Sequence, residues 1–177
     1  MTRINQSMKF SARALVCAGL FALGLSVSSL PAQAQFLSDE PPPESAVPPP
    51  PRFNTQNLLY LESGNFSNLR LGVDPSTLAL TGDGVVRYVL VVVNSSGTTS
   101  ALYEGIRCTT AETKLYSRFN AGPGWVAVKD SQWRSLYEPG PSKHPLKLAR
   151  SGICAGASAN NSVQQMIKEL QGQINPL

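Results

Sequence analysis

The sequence predicts an α+β fold, a mainly antiparallel sheet packed by a C-terminal helix in a single domain. Three observations predict it. Residues 85–93, Val-Val-Arg-Tyr-Val-Leu-Val-Val-Val, form a nearly unbroken β-branched and apolar run, the composition of a strand covered on both faces. Gly-bearing turns bracket that run, and further extended segments follow at hairpin spacing. Near the end, Val163, Met166, Ile167, Leu170 and Ile174 fall at i, i+3, i+4, i+7 and i+11, which makes one apolar face of a helix. Neither sheet nor helix buries its apolar face alone, so the helix is expected on the sheet. A length of 177 residues suits one such domain.

The elements are expected in this order. Leu58, Leu59, Tyr60 and Leu61 start a short strand or helix. Residues 65–73 alternate, with Phe66, Leu69, Leu71 and Val73 set against Asn68, Arg70 and Gly72. Asp74-Pro75-Ser76 is a turn, because Pro fixes its own φ and Asp accepts from nearby amides. A short extended piece, 77–80, leads into the tight turn Thr81-Gly82-Asp83-Gly84. After the 85–93 strand, Asn94-Ser95-Ser96-Gly97 turns the chain back and 98–109 returns as a hairpin partner. Residues 112–119 form a third strand, with Thr113, Leu115, Ser117 and Phe119 on one side and Lys114, Tyr116 and Arg118 on the other. A turn at 120–124 leads to a short strand at 125–129, then a turn or helix stub at 131–136. Residues 138–145 are a proline-rich loop, and 146–154 is open between helix and irregular chain. Ser162 and Gln165 resemble a capping box at the start of the last helix, and Asn175-Pro176 ends it.

Ahead of the domain the chain reads as an export signal. Lys9 and Arg13 precede an apolar stretch over 14–30, followed by Leu30-Pro31-Ala32-Gln33-Ala34. Small residues at Ala32 and Ala34 make a cleavage pattern, so residues 1–34 are expected to be a signal peptide cut after Ala34. Cys17 lies inside the apolar stretch rather than after it, the wrong place for lipid attachment. Residues 35–52, with Pro41-Pro42-Pro43 and Pro48-Pro49-Pro50-Pro51, read as a proline-rich disordered tail or spacer. Such runs also serve as ligands for grooves. The folded domain is then 53–177, and the mature product is periplasmic or secreted, with no transmembrane segment.

The formal charge of +4 belongs mostly to the leader. Without Arg3, Lys9 and Arg13, 12 basic residues face 11 acidic ones. A near-neutral domain gives no reason to expect nucleic acid binding. Two cysteines remain, Cys108 and Cys154, separated by 46 positions. In an exported chain they are expected to form a structural disulfide, since the separation fits neither a redox CxxC nor a close zinc pair.

No catalytic or cofactor motif stands out. There is no nucleophile elbow and no phosphate-binding Gly loop. His144, the one histidine, reads as a loop residue, and neither a metal nor a cofactor is expected. The polar residues that draw attention are Arg87, Glu104 and Arg107. Arg87 interrupts an apolar strand, where a charge needs a partner. Glu104 lies on the partner strand, so a cross-strand pair that Arg107 shares is expected, with an anion-binding pocket as its functional form. Trp125, Trp133, Tyr116 and Tyr137 are candidates for lining a sugar or peptide groove.

These blocks resemble the CNP-one-like family of uncharacterised exported proteobacterial proteins. The matching stretches are Asp83-Gly84-Val85-Val86-Arg87-Tyr88, Tyr103-Glu104-Gly105-Ile106-Arg107-Cys108, then Trp125, Trp133 and Cys154. The resemblance spans about residues 53–170 and implies export, one domain and the two-cysteine arrangement, with no settled activity to carry over. The leading functional expectation is a non-enzymatic binding or scaffolding domain of the cell envelope, its partner an envelope protein or cell-wall polymer. The alternative is a small envelope hydrolase acting on a polysaccharide or peptidoglycan. It would use Glu104 as acid/base, Glu112 or Asp130 as second carboxylate, and Arg107 to orient an anionic group.

Overall fold

The computed structural model describes residues 41–61, 68–140 and 142–174. The expected signal peptide over 1–34, the first part of the expected tail, Phe66 and Asn175-Pro176 lie outside the described residues. So does the side chain of Ile174.

One antiparallel sheet organises the domain. Its strands are β1 (Leu59–Leu61), β2 (Leu69–Val73), β3 (Ala79–Leu80), β4 (Val85–Asn94), β5 (Thr99–Arg107), β6 (Glu112–Asn120), β7 (Gly124–Ala127) and β8 (Arg134–Ser135). The order across the sheet is β1-β2-β4-β5-β6-β7, with β3 pairing β4 and β8 pairing β6. Every pairing is antiparallel. After β8 come a short helix α1 (His144–Leu148), a wide helical turn at Ala149–Ile153, the small hairpin β9 (Cys154–Ala155) and β10 (Ser158–Ala159), and helix α2 (Val163–Ile174). The uncertain stretch at 146–154 thus divides between helix, wide turn and strand.

Strand β4 is buried from Val85 to Leu90 and on through Val91, because apolar layers cover both faces of the sheet there. On one face Val86, Tyr88, Leu90 and Ile106 pack with Leu148, Ile153, Met166 and Leu170 of the C-terminal helical region. On the other, Val89, Val91, Ala101, Tyr103 and Tyr116 pack with Leu58, and Phe53, Phe119 and Trp125 close over them. The edge-to-face rings of Phe53, Phe119 and Trp125 sit 5.2–5.9 Å apart. These two layers are the helix face and the aromatic face below.

Two glycines are fixed by geometry. Gly152 has φ 143° in the wide turn, and a Cβ there would sit 2.7 Å from Glu169 Cβ on α2. Gly105 in β5 lies under Tyr116; a Cβ would meet its Oη at 2.6 Å and Val85 Cγ1 at 2.9 Å. Tyr116 reaches that position because the β5–β6 register shifts between Tyr103 and Glu104. The bulge changes the expected alternation of β6. Lys114, Tyr116 and Phe119 serve the aromatic face, while Thr113, Leu115 and Arg118 line a pocket on the helix face.

Cys108, just past β5, is bonded to Cys154 at the start of β9, with Cα atoms 5.7 Å apart. The disulfide ties the sheet to the segment before α2, as expected. Helix α2 buries Met166 and Leu170 fully. Ser162 Oγ accepts from Gln165 N at 3.1 Å, but Gln165 Nε2 reaches forward to Glu169 Oε1 at 2.7 Å. Only the serine half of the expected capping box therefore forms. Among the described residues, no helix is long and apolar enough to cross a membrane.

Candidate functional site

The three polar residues singled out from the sequence do not form one cluster. Arg87 stands opposite Gly105 in the β4–β5 register, and Glu104 opposite Tyr88. Opposed residues of an antiparallel pair share a face and neighbours alternate. Glu104 is therefore on the helix face and Arg87 on the aromatic face. The expected Arg87–Glu104 pair is corrected by this one-residue offset. Arg107 stands opposite Val85 and shares the face of Arg87.

On the aromatic face, Arg87 is 1% exposed and its charge is met by Asp83. Arg87 Nη2 donates to Asp83 Oδ2 at 3.0 Å, and Nη1 donates to Thr81 Oγ1. Asp83 also accepts from Val85 N at 3.2 Å and from Thr81 Oγ1 at 2.5 Å. The Gly-rich turn before β4 is thus the device that supplies a counter-ion to a buried guanidinium. Burial works against the ionised form of Asp83, yet bonds from Arg87, Thr81 and Ser45 hold its carboxyl far below the ordinary carboxylate range. Burial likewise disfavours the Arg87 cation, and Asp83, Tyr116 and Glu44 together more than offset it.

Beside this pair lies a notch that holds a carboxylate, and the carboxylate is Glu44. Its Oε1 accepts from Tyr116 Oη at 2.7 Å and from Arg87 Nη2 at 3.4 Å. Its Oε2 accepts from Lys114 Nζ at 2.8 Å and from Trp133 Nε1 at 3.2 Å. The next residue engages Asp83, whose Oδ2 accepts from Ser45 N at 2.9 Å and Ser45 Oγ at 2.8 Å. Burial opposes the Glu44 charge, but Lys114, Tyr116 and Trp133 prevail and hold its carboxyl below the usual range. The same burial and the bond to Glu44 push the Tyr116 hydroxyl well up. The rim is cationic and aromatic: the Arg107 guanidinium lies 4.2 Å over the Trp133 ring, and Lys114 Nζ is 5.6 Å from it. Arg107 has Glu112 at 3.8 Å, and among the described residues its buried Nε, like that of Arg87, has no hydrogen-bond partner.

Glu44 and Ser45 belong to the stretch expected to be a disordered spacer, and no sequence signal links them to residues 38 to 89 positions away. Of the aromatic candidates, Tyr116 and Trp133 line the notch and Trp125 packs in the neighbouring ring cluster. Tyr137 is exposed elsewhere, with Arg150 5.9 Å above its ring.

Glu104 serves a second location on the helix face. Its Oε2 accepts from Tyr88 Oη at 3.0 Å and is 2.7 Å from His144 Nε2. Ser142 Oγ is 2.7 Å from His144 Nδ1. A pocket of about 510 Å³ opens beside them, its lining including Glu104, Asp130, Arg118, Ser142 and His144. His144 is thus half-buried against a carboxylate rather than an isolated loop residue. Glu112 and Arg107, both expected near Glu104 in the hydrolase reading, pair with each other on the opposite face. Among the described residues, no group of three or more His, Cys, Asp or Glu is placed to hold a metal ion.

No curated protein and no solved structure matches the chain. A family model does match, over residues 38–171. That span begins before Glu44, so it takes in the segment that fills the notch as well as the sheet that forms it. With most of its length matched, the chain belongs to the CNP1-like family.

Proposed function

We propose that this is an exported envelope protein, delivered by a signal peptide over 1–34, whose domain is a non-enzymatic binding module for an acidic partner. The observation that carries the reading is the Glu44 carboxylate, which receives bonds from Tyr116, Arg87, Lys114 and Trp133. Four convergent donors with cation–aromatic walls are the chemistry of carboxylate recognition. Retention of the purified protein on envelope fractions tests this. The reading predicts retention that an acidic peptide competes away, that a basic peptide leaves intact, and that, once Glu44→Ala has emptied the notch, Trp133→Ala weakens about tenfold, the effect of one good charge-assisted contact. Absence of retention, or retention indifferent to Trp133 and to the acidic competitor, contradicts it.

A second reading, a small envelope hydrolase of polysaccharide or peptidoglycan, is favoured by the Glu104–His144–Ser142 chain beside its pocket. His144 lies between the other two, with Nε2 toward Glu104 and Nδ1 toward Ser142. In this reading His144 exchanges protons with substrate and Glu104 orients it. Turnover of envelope glycans abolished by His144→Ala would support it; no turnover by the wild-type protein would end it.

A further inference from the structure

The segment that fills the notch is held in a way that permits release. Among the described residues, its polar hold consists of Glu44 and Ser45. Further along, the chain is anchored again by the Phe53 ring against Phe119 and Trp125, and by Asn54 N donating to Asp74 Oδ2 at 2.6 Å. Four of the intervening residues are prolines without an N–H to donate, and Val47 is 39% exposed. The Phe53 end is apolar and shared with the core, whereas the Glu44 end is ionic. The two ends can therefore part company.

Removing Glu44 does not strand a buried charge. Arg87 keeps Asp83 at 3.0 Å. The emptied notch would hold the cations Arg87, Lys114 and Arg107 against Asp83 and Glu112, and Arg107 is met only at 3.8 Å. An excess of positive charge remains, facing aromatic walls.

The occupant also shows what the notch reads. A carboxylate goes to Lys114, Tyr116, Trp133 and Arg87, and the following backbone N–H goes to Asp83. An acidic sugar offers the first group but has no peptide N–H in that place. Pro41-Pro42-Pro43 before Glu44 favour an extended conformation, so little ordering entropy is lost on docking.

We propose that residues 41–45 are a removable latch, and that the notch is a receptor for an extended, proline-flanked acidic peptide segment of an envelope partner, which displaces Glu44. This rests on the binding-module reading and names its ligand class and its self-masking.

The test uses the exported full-length protein and a fluorescent peptide with the sequence of residues 38–52. A tethered competitor acts at up to millimolar effective concentration. The Glu44→Ala protein is therefore expected to bind the peptide about tenfold or more tightly than wild type. A peptide carrying Gln in place of its Glu44 should lose that binding, as should the Glu44→Ala, Lys114→Ala double variant. Lys114 sits on the rim, so its removal spares the buried Arg87–Asp83 pair; an intact disulfide by mass confirms folding of each variant. Polygalacturonate, an acidic glycan, should fail to compete. The proposal is overturned if folded Glu44→Ala protein ignores the peptide, binds it no better than wild type, or prefers polygalacturonate. If that protein ignores the peptide yet binds envelope fractions in a way that Trp133→Ala weakens, the latch fails and the binding-module reading stands. If both are lost, both fail.

Discussion

Glu44 and Asp83 are carboxylates whose bonds outweigh the cost of their burial, so each is held below its ordinary pKa. A carboxyl with a depressed folded-state pKa stabilises the fold above its unfolded value, and that contribution is lost as pH falls through the folded value. Stability is therefore expected to hold through neutral and mildly acid conditions and to fall only below the ordinary carboxylate range. Glu44→Gln should lower the melting temperature at neutral pH, by about 1–2 kcal/mol in stability terms for a charge-assisted site at the surface. The gap to wild type should close as pH drops to the acid limb. Thermal melts of both proteins from pH 7 to pH 2 check this; a gap that widens in acid would contradict it. At this scale little was legible in advance. Arg87 was recognisable as a charge needing a partner, because it interrupts an apolar run. Its partner is not legible, because which of Gly105 or Glu104 faces it depends on a register that a single strand sequence does not encode.

Among the elements, β4 and α2 were the most legible, since a β-branched run and a 3.6-residue apolar period each specify burial without reference to the rest of the chain. Strand β6 was legible in extent and misread in facing. Its bulge at Tyr116 reverses the alternation, and a bulge leaves no mark in a side-chain pattern. The feature that betrays it is Gly105, a small residue inside an otherwise filled strand, which marks the close approach of another group. Gly105→Ala would drive a methyl into Tyr116 Oη and Val85 Cγ1. Overpacking of this kind costs about 1–3 kcal/mol. Because Tyr116 is also a donor to Glu44, the substitution should loosen the notch along with the strand. Denaturant unfolding together with the intensity of Trp133 fluorescence should report both losses; an unchanged midpoint would show that Tyr116 has room to move.

For the whole molecule, the sheet separates two polar assemblies. One lies under the helical cover, where Glu104 meets Tyr88 and His144. The other lies on the aromatic face, where Arg87, Lys114, Tyr116 and Trp133 enclose Glu44. The overall class and the disulfide followed from local pattern and cysteine count, but neither assembly did. Each joins residues from loops and strands distant along the chain, and the Glu44 notch draws on a proline-rich stretch whose composition reads as spacer. Its dense prolines do indeed prevent ladder pairing, yet they leave a single carboxylate free to dock.

The central claim, that the notch engages an acidic envelope partner, is tested most directly by in-cell crosslinking of the tagged, exported protein with mass spectrometry of the captured material. Glu44→Ala and the Glu44→Ala, Lys114→Ala double variant should be compared at equal export and with the Cys108–Cys154 disulfide intact. The account predicts a reproducible acidic partner captured by Glu44→Ala and lost with the Glu44→Ala, Lys114→Ala double variant. Equal capture by both proteins, or capture by neither, would contradict it.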